Sequence, residues 1–123
     1  MNKNEFLIKL KELKDKGYSK NFKDDETVNS NGTHEFYKVI EYADDKYGDR
    51  RAINQVIFKV YNFEKYADRV PEESYYSFEP IIMFSRDTDE RIDLHIHFPE
   101  HSIEFIEKKA RQFGEWCKQY MNE

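Results

Sequence analysis

Apolar and polar residues alternate most strictly between Glu90 and Phe98. Ile92, Leu94, Ile96 and Phe98 fall on one side of an extended chain, and Arg91, Asp93, His95 and His97 on the other. The pattern predicts a strand, and its regularity marks it as the one about which the fold is organised. Two segments carry helical spacing instead. Over Asn4 to Lys16, Phe6, Leu7, Leu10 and Leu13 recur at three- and four-residue intervals and Gly17 supplies a stop. Over Ser102 to Met121, Ile103, Ile106, Ala110, Phe113, Cys117 and Tyr120 form the clearest apolar stripe, which requires a partner layer. The apolar side of the organising strand is the expected partner.

Between these elements, His34 to Tyr42, Ile53 to Phe63 and Tyr75 to Ser85 are rich in β-branched and aromatic residues and predict strands. For residues 36–43 a helix competes. The second of these strands is apolar on both faces, which places it centrally. Pro80 lacks a ladder donor, so the third is expected at an edge or a bulge. The polar stretch 18–33 reads as a long connector, 64–73 as a surface crossing, and 86–89 as the turn of a hairpin. No repeat or internal boundary is visible. Residues 1–123 are expected to form one globular α+β domain: a mostly antiparallel four-stranded sheet with N-terminal and C-terminal helices packed on one face, in the order α-β-β-β-β-α.

Composition narrows this further. Charged residues make up 37% of the 123-residue chain, but 16% aromatics argue for a packed core rather than disorder. The net charge of -5 is uneven: residues 1–23 hold seven Lys against three acids, giving +4 there and -9 elsewhere. An acidic body repels phosphate, so nucleic acid is not the expected partner, and single-strand binding through sheet aromatics and the first helix's lysines ranks third. The opening residues lack a secretory core, no run suits a membrane span, and one cysteine forms no internal disulfide. A cytoplasmic location follows as an expectation.

Candidate chemistry is confined to the organising strand. Asp93, His95 and His97 project from one face with neighbours ~7 Å apart, so a divalent metal over two imidazoles and a carboxylate is one possibility. A plain polar sheet face is the competing reading, and no cofactor is otherwise implied. Cys117 sits on an apolar stripe, which suits a structural thiol rather than a nucleophile. Four scattered glycines make no phosphate loop.

Turn parity gives the histidine face more character. An even loop before the organising strand puts Ile82 and Phe84 beside Asp93 and His95, and an odd loop puts Ile81 and Met83 there. Either way two large apolar residues join the histidines, with Ile57 and Tyr61 contributed by the central strand. Such a face calls for a cover. The expectation is a non-enzymatic acidic protein-protein interaction module, of the kind found among inhibitors, immunity proteins and mobile-element accessory proteins, acting by surface occlusion. Its partner is another protein or a homodimer mate, and its candidate interface is Tyr61, Ile82, Phe84, His95 and His97. A metal-binding protein or small metal-dependent enzyme built on Asp93, His95 and His97 is the alternative.

Overall fold

The computed structural model describes residues 1–20, 33–66, 68–87 and 91–121. Most of the connector read over 18–33, and the centre of the hairpin turn, lie outside the described residues. Helix α1 (Lys3–Asp15) begins at Asn2, whose side-chain oxygen accepts the Glu5 N–H at 2.8 Å. It ends at Gly17, with φ +88°, where the Gly17 and Tyr18 N–H groups donate to the Lys14 and Leu13 carbonyls. The strands are β1 (Ser19–Lys20), β2 (Thr33–Asp44), β3 (Arg50–Asn62), β4 (Tyr76–Asp87) and β5 (Arg91–His97). Helix α2 (Ile103–Met121) closes the order.

One sheet runs β1-β2-β3-β4-β5. The expected α-β-β-β-β-α succession is therefore present, with the two-residue β1 added antiparallel to β2, Ser19 facing Tyr37 and Lys20 facing Phe36. Residues 36–43 are strand rather than helix. β3 is central, as its two apolar faces required. The expected organising strand, β5, is instead the outermost, and Leu94 on it keeps 39% of its surface exposed. Strict alternation marks a strand with one wet face, and an edge strand meets that description as well as a central one.

Contacts group the chain into two compact units, residues 1–37 with 58–79 and residues 38–57 with 80–123, and β2, β3 and β4 pass through both. In the first unit, Phe6 of α1 lies on Tyr76 and Phe78 with ring centroids 4.8 and 5.3 Å apart. Tyr18 meets Phe58 edge-on at 5.5 Å, and the Lys9 ammonium stands 5.2 Å from the Phe78 ring centroid. Phe58 of β3 and Tyr76 and Phe78 of β4 thus face α1. Phe6 and Leu13 are buried, but Leu7, expected on the same stripe, is half exposed. One residue of helix is ~100° of rotation, enough to carry it off the contact line. Glu64 accepts the Tyr76 hydroxyl at 2.8 Å and the Lys3 ammonium at 3.2 Å, and both bonds hold its carboxyl below the ordinary range.

In the second unit, α2 buries Ile103, Ile106, Ala110 and Cys117. Its cover includes Ile53 and Asn54 of β3 and Phe84 of β4, with Ala43 of β2 packed against them. Ile53 and Asn54 are adjacent yet both engage the helix, so strand alternation breaks there as at a β-bulge. The Asn54 amide donates to the Ala110 carbonyl at 2.8 Å, while its Oδ1 is buried without a partner among the described residues. Gly114 makes room for this contact: a Cβ there would fall 2.5 Å from Asn54 Nδ2. On the β2 flank, Lys38 reaches the buried Glu107 at 3.2 Å, and Lys118 bridges Glu41 at 2.9 Å and Glu115 at 2.8 Å.

Pro80 sits on β4, an interior strand, against the edge expectation. Its carbonyl accepts the Phe98 N–H at 2.9 Å, one residue past the end of β5. In an antiparallel ladder a residue's N–H and C=O point to the same neighbour, so the missing donor falls where that neighbour has stopped pairing. The β2–β3 turn is built on Asp45, whose carboxylate accepts the Tyr47 and Asp49 N–H groups at 2.8 and 2.9 Å and the Arg51 Nε at 3.1 Å. The Asp49 bond is the largest cause of a lowered Asp45 pKa, and the Arg51 guanidinium adds to it.

Two outcomes follow. Gly114→Ala destabilises the wild-type chain by about 1–3 kcal/mol through the clash with Asn54, yet stabilises an Asn54→Ala background by about 1 kcal/mol through helix propensity. Urea unfolding of the four chains measures both, and equal effects in the two backgrounds would refute the contact. Because folding lowers the Asp45 pKa, its contribution is fully present above the unfolded value of ~3.9 and is lost as pH falls through the folded one. Wild-type stability should therefore drop more steeply than that of Asp45→Asn below about pH 4 in acid titrations.

Candidate protein interface

The hairpin register is fixed by Asp87 facing Arg91, Ser85 facing Asp93, Met83 facing His95 and Ile81 facing His97. The loop is therefore odd. Asp93, His95 and His97 share a face with Ser85, Met83 and Ile81, and all three are exposed. Ile82 and Phe84, named as interface residues on the even register, lie on the opposite face and are fully buried. There Phe84 meets the Phe113 ring edge-on at 6.4 Å. They belong to the core and are unavailable to a partner. A single residue of loop length made the difference, since it decides which side every later residue takes.

The remaining candidates divide. Tyr61 lies in the first unit, where its hydroxyl donates to Glu79 at 2.9 Å; burial and that carboxylate both push its pKa up. Asp93 accepts a hydrogen bond from the Ser85 hydroxyl. Among the described residues, no three His, Cys, Asp or Glu side chains converge as a metal-ligand set. Asp93, His95 and His97 share a face without closing round a point.

A different surface in the second unit has the stronger character. Phe113 stacks on Trp116, with centroids 6.2 Å apart and planes 14° apart, and Trp116 stacks on Tyr120 at 5.5 Å and 15°. Trp116 is 56% and Tyr120 67% exposed. The same side of α2 carries Phe105, with His101 stacked on its ring at 3.6 Å and the Lys109 ammonium 5.5 Å from it. Glu107 and Lys118, about three turns apart, reach β2 from the opposite flank. The ladder therefore projects on the β4–β5 side, where the Leu94 side chain stands open.

Trp116 lies off the apolar stripe that periodicity predicts, and Tyr120, expected on that stripe, is exposed. The signal was present: 113, 116 and 120 have helical spacing of their own, displaced from the stripe through Ile103, Ile106, Ala110 and Cys117. What periodicity did not give was the width of the sheet beneath. No family model, curated protein or solved structure matches the chain. Among the described residues, no helix is long and apolar enough to cross a membrane.

Cys117, beneath the ladder, is 1% exposed, and burial raises its thiol pKa. A thiol reagent should label it only as fast as the second unit opens, so mild denaturant should accelerate labelling in proportion to unfolding. Rapid labelling of the native chain at neutral pH would contradict the packing of α2.

Proposed function

We propose that this chain is a non-enzymatic, cytoplasmic protein-binding module whose contact surface is the aromatic ladder of α2. The observation that carries the reading is the exposed stack of Trp116 and Tyr120 on Phe113. Large rings with few rotatable bonds lose little entropy on binding and bury about 150–250 Å² each, which is why Trp and Tyr dominate interface hot spots. Here the rings are already held parallel by one another, so part of that ordering precedes the encounter. Gln112 and Gln119 are exposed along the outer side of the ladder and would form its polar rim. The module acts by occupying surface on its partner.

Trp116 is the sole tryptophan, so its emission reports on the proposed surface directly. Tagged wild type should retain a stoichiometric protein from host lysate, the untagged chain itself included, and Trp116 emission should shift to the blue when the purified pair is mixed. Trp116→Glu with Tyr120→Glu should weaken binding by about 30-fold or more while the variant still melts cooperatively. Equal retention by wild type and variant would sink the reading.

A further inference from the structure

We infer that the partner seated on this flank is a second copy of the chain, joined antiparallel along β5; the inference rests on the protein-binding reading above. β5 ends the strand order, and among the described residues no strand pairs with its outer side. Such an edge is a template for another strand. The question is which strand fits, and β5 fits itself.

A two-fold axis at Leu94, the midpoint of Arg91–His97, lets all seven residues of the strand pair. That register sets Leu94 against Leu94 of the second copy. It also sets Asp93 against His95 twice, an acid opposite a base on each side of the axis. An axis at Asp93 would oppose two carboxylates. One at His95 would oppose two imidazoles and leave the first two positions of β5 beyond its mate. The Leu94 axis also sets Arg91 against His97 at each end, and an axis at His95 would pair Asp93 with His97, so the choice rests on pairing the whole strand and on keeping like ionisable groups off the axis itself.

The register also determines what lies above the seam. Facing residues share a side of the sheet, so pairing Leu94 with itself keeps the helix-bearing faces of both copies on one side. Each ladder projects from α2 toward β5, so the two aromatic flanks turn toward each other across the seam. Trp116 and Tyr120 then have a cover, and the half-open Leu94 side chain a floor to complete. The edge, the acid–base pair and the exposed ladder are satisfied by one arrangement. On the opposite face, Ser85 is bonded to Asp93 and Met83 stands opposite His95, with Arg91 and His97 at the adjoining positions of β5 on that face.

The test is sedimentation equilibrium on the full chain over a concentration series, with circular dichroism to confirm folding. Wild type should move from 15.0 kDa toward twice that mass, with Trp116 emission shifting blue in step. His95→Asp, which opposes two acids, should weaken association by about 10-fold, and Asp93→His by a similar factor. The double exchange Asp93→His with His95→Asp should restore it to within a few-fold of wild type. Asp93→His and the double exchange both lose the Ser85 bond, so the difference between them isolates the contact with the mate. A dimer indifferent to the single changes, or not recovered by the exchange, overturns this pairing. A 15.0 kDa mass at every concentration overturns it too. If that monomer still captures another protein through Trp116, the protein-binding reading survives; if it captures nothing, both readings fall.

Discussion

The second unit depends on how closely α2 can approach β3, and one contact sets that distance. Asn54 directs its amide at the Ala110 carbonyl while Gly114 removes the side chain that would hold helix and strand apart. A glycine inside a helix costs about 1 kcal/mol relative to alanine, and an unpartnered buried amide oxygen costs about 1–3 more. The hydrogen bond and the close packing it permits around Ile53, Phe84 and Cys117 offset these terms. Seated there, α2 reaches β2 through its ion pairs on one side and leaves its aromatic side uncovered on the other.

That uncovered side follows from the position of β5. The buried cluster beneath α2 is built on Ile53 and Phe84, and Leu94 on the last strand keeps 39% of its surface exposed. A strand with one apolar face, an open ladder and a neighbouring run of rings combines main-chain and side-chain recognition within a small area. Backbone bonding at an edge supplies affinity of little sequence preference, and the side chains beside it supply selectivity. In this chain both lie on the same margin of the second unit.

Much of the fold was legible in the sequence because periodicity reports which faces are dry. Both helices, the four long strands and the stop at Gly17 follow from it. What was not legible depended on lateral order and parity. Alternation at Asp93, His95 and His97 is a property of one strand, silent on whether a neighbour lies beyond it. Ile82 and Phe84 changed faces on a single residue of loop length. Leu7 and Tyr120 sit on recognisable stripes yet remain outside the core because the surface beneath α1 or α2 ends before reaching them. Trp116 shares a helical spacing with Phe113 and Tyr120, but whether that second line of rings is covered is visible only once the width of the sheet beneath is known.

Pro80 adds a limit of another kind. Where β5 would continue past His97, the facing residue of β4 has no hydrogen to give, and the chain turns away through Pro99. The hairpin is thereby cut to length at its open end, and sliding β5 along β4 by a step of two would set that missing donor inside the ladder. A proline in the middle of the sheet thus works as a ruler, fixing how much edge the molecule exposes to its surroundings.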